Sequence, residues 1–159
     1  MNYYNIISKS YNELYKEEQL NKIKIILKEL NLKDKEKVLD VGCGTAFYKN
    51  LFKNYTGIDN SKGMLSKSKT KNLIYGNAEN LPFKDKSFSV VICITAIHNF
   101  KDYKKSIKEM KRVCKNKIII TILKRAKKFK EISSFIEKNF NFKKIGEDKD
   151  MIYIINQTY

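Results

Sequence analysis

The sequence predicts an α/β fold in which helices cover a doubly wound sheet. Short runs that are apolar almost throughout alternate with stretches whose apolar residues recur every three or four positions. The continuous runs are typical of strands buried on both faces, and the wider spacing is typical of helices that bury one face. The chain ends in two strand-like pieces around a polar turn at residues 147–150, which indicates a hairpin. This alternation is the pattern of a doubly wound sheet.

The first predicted element is a helix over residues 10–30. Its apolar residues are three and four positions apart, so they share one face, which we expect to pack against the sheet. Ser10 followed three residues later by Glu13 is a capping-box signature, which predicts that the helix begins at Ser10. The residues of the apolar face are Leu20, Ile23, Leu27 and Leu30.

Strands and helices then alternate along the rest of the chain. Helices are predicted over residues 45–54 and 61–69, the second with Met64 facing inward. A further helix is predicted after Asp102, which can cap it, and a last one over residues 129–140. The strands between them are predicted over residues 37–41, 55–59, 72–77, 89–96 and 117–123.

Length and composition indicate one globular domain. The chain has 159 residues, of which 42% are hydrophobic and 31% are charged, and this is enough to bury a core. No apolar run approaches the roughly 20 residues of a membrane helix, and the first residues lack the pattern of a secretory signal. We therefore expect a cytoplasmic protein without membrane association. Three cysteines without a C-x-x-C pair or a histidine cluster indicate neither disulfides nor a metal site.

The net charge of +16 suggests a nucleic-acid partner, because clustered cations bind phosphates through counterion release. The alternative is compositional, since nearly all of this charge is lysine and lysine-rich surfaces also arise for solubility. A basic run from Lys111 to Lys130 contains no acidic residue. Its second half directly follows the strand over residues 117–123, so we expect the loop Lys124 to Lys130 at the carboxyl edge of the sheet.

The stretch KVLDVGCGTA, residues 37–46, predicts a buried strand, a tight turn at Gly42 and Gly44, and then a helix. Glycine is needed where the backbone adopts dihedrals that a Cβ forbids, and where a ligand approaches the main chain closely. The N–H groups of the following helix would point at that ligand. Asp59 lies nineteen residues after Asp40, at the end of the next strand. A carboxylate there can accept hydrogen bonds from two ribose hydroxyls.

With these motifs, residues 37–100 resemble the class I S-adenosylmethionine-dependent methyltransferases, in particular the type 11 group. The motifs are VLDVGCGTA, then GID followed by Asn-Ser, then GNAENLPFKDKSFSVVICITAIHNF. The resemblance implies a minimal Rossmann-like domain over residues 1–159, with seven strands in the order 3-2-1-4-5-7-6 and strand 7 antiparallel. It also implies S-adenosyl-L-methionine as the cofactor, and a helical lid over residues 1–36 ahead of a core over residues 37–159.

The resemblance further implies which residues contact the cofactor. The family often has a third glycine where Ala46 stands, and usually has aspartate where Asn77 stands. An amide oxygen at this second position can still accept a hydrogen bond from adenine, but without the charge. The predicted cofactor residues are Tyr11, Asp40, Gly42, Cys43, Gly44, Asp59, Asn60, Met64, Asn77, Ala78 and Thr95.

His98 is the only histidine and follows the fourth strand, at the edge where the ligand is expected. Because histidine titrates near neutral pH, His98 is the predicted general base that takes a proton from an oxygen or nitrogen acceptor. The alternative is a hydrogen-bonded wall residue without a chemical role.

The leading interpretation is a methyltransferase that acts on RNA, at a tRNA or rRNA nucleotide, because the predicted active-site edge is basic and has no enclosing cap. A small-molecule or protein acceptor is the alternative within this class. A non-catalytic cofactor-binding subunit and a dinucleotide-binding protein are the alternatives outside it. The dinucleotide option is disfavoured because G-x-G-x-x-G requires glycine where Phe47 stands. Besides RNA at the loop Lys124 to Lys130, an activating partner protein or a homodimer is the expected partner.

Overall fold

The computed structural model describes residues 3–157, with side chains from residue 13 onward. The chain divides into two compact units, Met1–Leu32 and Lys33–Tyr159, and each is described by itself. The lid role of residues 1–36 stays a prediction. Among the described helices, none combines the length and the apolar content that a bilayer crossing requires.

The first unit contains the long helix α1 (Tyr3–Leu30). Because the helix already begins at Tyr3, Ser10 lies inside it, and the predicted start at a Ser10 capping box is wrong. α1 ends where Asn31 adopts a left-handed φ of 46° and donates its N–H to the Leu27 carbonyl at 3.1 Å. A left-handed asparagine after the last turn is a common helix terminus, because it satisfies a carbonyl that the helix leaves without a partner.

The second unit is built on a sheet with seven strands in the described part of the chain. They are β1 (Lys37–Val41), β2 (Asn54–Asp59), β3 (Leu73–Tyr75), β4 (Phe88–Ile94), β5 (Cys114–Leu123), β6 (Phe142–Gly146) and β7 (Asp150–Asn156). Their order is β3-β2-β1-β4-β5-β7-β6, and β7 is antiparallel to both β5 and β6. The predicted fold class and strand order are confirmed.

Three α-helices and two 3₁₀ turns connect these strands in the described part of the second unit. They are α2 (Lys62–Ser66), α3 (Tyr103–Val113), α4 (Phe129–Asn139) and the turns Lys49–Leu51 and Ile97–Asn99. The side chain of Ser61 caps α2 by accepting the Met64 N–H at 3.3 Å. The predicted cap at Asp102 is also present, because its side chain accepts the Lys105 N–H at 3.0 Å. Such caps satisfy N–H groups that have no partner within the first turn.

The predicted helix over residues 45–54 is wrong. The chain instead makes tight turns, in which the N–H of Ala46 bonds the Cys43 carbonyl and the N–H of Lys49 bonds the Ala46 carbonyl. Ala46 adopts a left-handed φ of 51°, which a right-handed helix does not accommodate. α2 is also shorter than predicted and ends at Ser66, whose hydroxyl donates to a main-chain carbonyl at 2.8 Å. Such local bonding competes with helix continuation.

The core of the second unit lies where the sheet packs against α3 and α4. Ile118 and Ile120 of β5 belong to the same buried cluster as Ile107 of α3 and Ile132 of α4. These four side chains are fully buried, and burying each one contributes about 1.5–3 kcal/mol. This packing holds the central strands in place beneath the loops that leave them.

The topology brings several loops to one edge of the sheet. β1, β2, β4 and β5 are parallel, so their carboxyl ends at Val41, Asp59, Ile94 and Leu123 lie at the same edge. β7 runs the opposite way and begins at this edge, because Asp150 pairs with Leu123. Ligands of doubly wound sheets bind outside the carboxyl ends of the strands, so this is the edge where a site is expected.

Candidate functional site

A cavity of about 620 Å³ opens at the carboxyl edge of the sheet. It lies between the ends of β1 and β2, the loop after β3 and the segment that follows β4. Five predicted cofactor residues line it, namely Gly42, Asp59, Asn60, Asn77 and Ala78. The motifs that carried the sequence prediction therefore meet at one cavity.

Asp59 connects the loop after β1 to the loop after β2. Its Oδ2 accepts the Gly44 N–H at 2.8 Å, and its Oδ1 accepts the Ser61 N–H at 2.8 Å. The side-chain cap of α2 is supplied by Ser61 and not by Asp59. Each carboxylate oxygen can accept more than one hydrogen bond. Asp59 can therefore hold both loops and still accept bonds from a ligand in the cavity.

Both glycines of the turn after β1 adopt left-handed dihedrals, with φ of 77° at Gly42 and 56° at Gly44. A Cβ on Gly42 would lie 2.6 Å from the Ala96 Cβ and 3.2 Å from the Phe100 ring, and one on Gly44 would lie 3.3 Å from the Met64 Cε. Glycine is therefore required at Gly42 on two grounds. The groups that approach Gly42 closely are side chains of this unit, Ala96 and Phe100, and not a ligand. No α-helix follows the turn, so the predicted helix N–H groups do not point at the site.

Asp40 is fully buried and does not line the cavity. Its Oδ2 accepts hydrogen bonds from the Tyr48 hydroxyl at 2.7 Å and the Tyr55 hydroxyl at 2.6 Å, whereas its Oδ1 has no hydrogen-bond partner among the described residues. Burial raises the pKa of the Asp40 carboxyl from 3.8 to about 6, although the two tyrosine hydroxyls oppose this shift. No sequence signal marked Tyr48 and Tyr55 as its partners.

Thr95 and His98 follow β4 but do not line the cavity. Thr95 adopts a left-handed φ of 51°, its N–H donates to Thr121 Oγ1 at 2.8 Å, and its hydroxyl donates to Asp150 Oδ2 at 2.8 Å. His98 is half-buried in the 3₁₀ turn Ile97–Asn99. The hydroxyl of Thr95, a predicted cofactor contact, therefore bonds residues of β5 and β7.

Charged residues that the sequence did not single out complete the cavity wall. Glu79 and Asp102 line it and are linked, because the Asp102 N–H donates to Glu79 Oε1 at 3.2 Å. Lys101 and Lys105 line it as well. Glu79 lies inside the third motif, but no spacing rule distinguishes it from its polar neighbours. The cavity thus presents both carboxylates and ammonium groups to a ligand.

The cavity lining also lacks three further predicted contacts: Cys43, Gly44 and Met64. Met64 is 40% exposed beside the glycine turn, so the prediction that it faces inward is wrong: α2 is too short to bury it. Cys43 is a buried free thiol whose pKa is raised by that burial, and Cys93 and Cys114 are also buried and free. Tyr11 lies outside the residues whose side chains the structure describes.

Comparison with known proteins identifies the family. A family model described as "Methyltransferase domain" matches residues 39–122, which is more than half of the chain. The chain belongs to this methyltransferase family. The predicted resemblance is confirmed, and the family indicates S-adenosyl-L-methionine as the cofactor.

Two curated relatives show how much of the chain is shared. An uncharacterized protein of Methanocaldococcus jannaschii is 37% identical over 117 residues, which cover 72% of this chain and 47% of that protein. Demethylmenaquinone methyltransferase of Staphylococcus saprophyticus is 40% identical over 106 residues, which cover 58% of this chain and 46% of that enzyme. The chain spans about half the length of these relatives.

Two solved structures share the fold at low sequence identity. A SAM-dependent methyltransferase from Aquifex aeolicus superposes with a TM-score of 0.69 at 20% identity, covering 84% of this chain and 87% of that one. A Haloferax volcanii complex between the Trm112 methyltransferase activator and a putative methyltransferase matches with a TM-score of 0.74 at 13% identity, covering 92% of both chains.

Proposed function

We propose that this chain transfers a methyl group from S-adenosylmethionine to an acceptor that reaches the carboxyl edge of its sheet. The observation that carries the proposal is Asp59, a half-buried carboxylate at the end of β2 that lines the cavity beside the glycine turn. A carboxylate at this place in a doubly wound sheet suits the two hydroxyls of a ribose.

The surrounding residues fit the other parts of this cofactor. Asn77 and Ala78 line the cavity, and a side-chain amide with a main-chain N–H suits the polar edge of adenine. Asp40 has one buried carboxylate oxygen without a partner among the described residues, and such an oxygen is costly unless a donor reaches it. Asp40 is fully buried outside the cavity lining, so a ligand in the cavity does not reach this oxygen, and the predicted contact of Asp40 with the methionine end stays a prediction. We assign the ribose to Asp59.

The bound cofactor supplies an activated methyl group, and its transfer is an in-line displacement. The protein therefore has to hold donor and acceptor in line and exclude water. Asp59 orients the cofactor, and Ala96 and Phe100 fill the space against Gly42. His98 is the proposed general base, which would take the proton of an oxygen or nitrogen acceptor.

Calorimetry with S-adenosylmethionine and S-adenosylhomocysteine tests the cofactor assignment. Asp59→Ala should weaken binding by about 1–3 kcal/mol, because the ribose hydroxyls lose their acceptor. Asp85→Ala is the matched control, since Asp85 is an exposed carboxylate paired with Arg112 away from the cavity. Normal binding by Asp59→Ala, or binding of NAD in place of the cofactor, would contradict the proposal.

An RNA nucleotide is the acceptor that the charge favours. The loop after β5 opens at the same edge as Asp59, and Arg125 and Lys127 are exposed on it. Two other basic residues of this loop are engaged within the unit: Lys124 Nζ donates to the Glu147 carbonyl at 2.5 Å, and Lys128 Nζ donates to the Phe100 carbonyl at 3.4 Å. The loop therefore offers fewer cations to phosphate than its composition suggests.

The salt dependence of RNA binding tests this acceptor. The double change Arg125→Gln and Lys127→Gln should flatten the log-log salt slope for duplex RNA by up to about 2, since each phosphate contact contributes roughly 0.9. Lys24→Gln with Lys28→Gln, on exposed positions of α1, is the matched control. Equal changes in both pairs would mean that the charge is only a solvated lysine-rich surface.

A small-molecule acceptor is the second candidate. It is favoured by the 40% identity to demethylmenaquinone methyltransferase, whose name specifies a small quinone. Mass spectrometry of tRNA and rRNA from cells that lack the gene distinguishes an RNA acceptor from a small-molecule acceptor. A missing methylated nucleotide is expected only if the acceptor is RNA. The Trm112 complex of the structural neighbour likewise motivates a search for an activating partner by co-purification.

A further inference from the structure

We propose that Asp150 and Thr121 are positioning residues that act through Thr95 to hold the β4 wall, residues 95–100, against the cofactor cavity. The inference rests on the proposed function, because the wall has a chemical purpose only if the cavity binds the cofactor. It assigns a role to a buried carboxylate of β7 that no motif marked.

Thr95 has a backbone conformation that its own side chain disfavours. Its φ is 51°, in the left-handed region that glycine and asparagine enter readily and that β-branched residues enter rarely. A residue stays in such a conformation only where the surrounding structure over-determines it, and such positions cluster at functional sites. The bonds that hold Thr95 are therefore the feature to explain.

Two buried side chains hold it. Its N–H donates to Thr121 Oγ1 at 2.8 Å and its hydroxyl donates to Asp150 Oδ2 at 2.8 Å, while the two threonine hydroxyl oxygens lie 3.2 Å apart. Thr121 is fully buried and Asp150 is 1% exposed. Because a buried carboxylate is costly without hydrogen-bond donors, Asp150 and Thr95 stabilise each other in this arrangement.

The strand topology makes this contact. Thr121 pairs with Ile94, the last residue of β4, and Asp150 is the first residue of β7, which starts at the edge where β4 and β5 end. The two bonds join Thr95 to residues 26 and 55 positions further along the chain. A parallel strand in the place of β7 would begin at the opposite edge, so the antiparallel hairpin is what delivers the carboxylate.

The β4 wall carries the cavity lining that follows Thr95. The N–H of Asn99 bonds the Ala96 carbonyl at 2.9 Å, which forms a tight turn. The turn brings Phe100 into the cavity lining and against Gly42. At the far end, Lys128 Nζ donates to the Phe100 carbonyl at 3.4 Å. The wall is thus fixed at one end by Thr121 of β5 and Asp150 of β7, and at the other end by Lys128.

A merely structural role predicts a different result from a positioning role. If the bonds only stabilise the fold, their loss lowers the melting temperature while the folded fraction binds ligand normally. If they set the wall, the folded protein itself binds more weakly, and the environment of His98 inside the wall changes. His98 is the only histidine of the chain, so its ring protons give a unique NMR signal that reports on the wall.

The experiment measures the Kd for S-adenosylhomocysteine by calorimetry, the melting temperature and the His98 ring signal. Thr95→Val keeps the shape but removes the hydroxyl, and we expect about tenfold weaker binding and a shifted His98 signal, since one buried charge-assisted bond is lost. Thr95→Gly should bind more tightly than Thr95→Val, because glycine adopts the left-handed backbone without strain. If only packing mattered, Thr95→Val would bind S-adenosylhomocysteine more tightly than Thr95→Gly, because valine keeps the shape of threonine.

Tyr153→Phe is the control on the same strand. It removes the bond of 2.7 Å from the Tyr153 hydroxyl to Glu137, so it should lower stability without changing Kd or the His98 signal. Thr121→Val provides a second test of the wall if Thr95→Val does not fold. Wild-type affinity in folded Thr95→Val or Thr121→Val would overturn the inference and leave the proposed function intact. A wild-type protein that binds no S-adenosylhomocysteine would overturn both.

Discussion

The two sides of the cavity are built in different ways. On the side of β1 and β2, Asp59 bonds Gly44 and Ser61, which lie only 15 and 2 positions away. On the side of β4, the wall depends on Thr95 and its bonds to residues 26 and 55 positions away. The first side is a local arrangement that a motif can encode. The second side exists only after the hairpin of β6 and β7 has joined the sheet.

The difference also concerns charge. Asp40 on the first side is buried with a raised pKa, and one of its oxygens has no partner among the described residues, whereas Asp150 on the second side accepts a hydrogen bond from the Thr95 hydroxyl. We expect changes on the first side to alter binding and the pH dependence of stability. Changes in the wall that leave the cofactor contacts intact should alter turnover.

The largest expected effect is on the second side. His98→Ala should lower turnover about 100-fold, because the substrate that accepts the methyl group loses the base that takes its proton. Cofactor affinity should change little, because His98 does not line the cofactor cavity. The measurement is the rate of methyl transfer to the acceptor that mass spectrometry of the cellular tRNA and rRNA identifies. His98→Gln should be equally slow, since an amide forms hydrogen bonds but does not take a proton. Unchanged turnover in both would leave His98 as a wall residue.

The next effect is on the first side, at Asp40. Its pKa is about 6 in the folded state against 3.8 as the ordinary value, so burial disfavours its charged form. The stability associated with protonated Asp40 is fully present below pH 3.8 and is lost as the pH rises through about 6.

Asp40→Asn removes this titration. Relative to wild type, the variant should therefore gain about 2 kcal/mol of unfolding free energy between about pH 4.5 and about pH 8. Urea unfolding at the two pH values gives this difference. If the difference in unfolding free energy between the two proteins does not change with pH, burial does not raise the pKa of Asp40.

The smallest effect tests the glycine turn itself. Ala46 has a φ of 51°, at the place where the family often has glycine, so Ala46→Gly should relieve backbone strain and raise stability by about 0.5 kcal/mol. Ala126→Gly is the control, since Ala126 has no positive φ and should lose stability by a similar amount. Thermal unfolding measures both. A loss at Ala46 would mean that its buried methyl group contributes more than the strain costs.

Several features followed from local patterns in the sequence. The apolar runs of β4 and β5 and the cap at Asp102 were predicted correctly, because each depends on residues close together in the chain. The helix after Gly44 was predicted wrongly, because a left-handed residue at Ala46 interrupts a pattern that otherwise permits a helix. The capping box at Ser10 failed for the opposite reason, since the residues before it are helical as well.

The sequence by itself determined the fold class and the residues that meet at the cavity from β1, β2 and the loop after β3. It did so because strand periodicity, turn glycines and strand-end carboxylates act over short distances in the chain. Only the tertiary structure decided that the Thr95 hydroxyl faces Asp150 and that Tyr48 and Tyr55 occupy one oxygen of Asp40. Those contacts depend on the strand order, which brings residues from distant parts of the chain together. They also depend on burial, because a buried carboxylate is costly unless nearby groups donate hydrogen bonds to it.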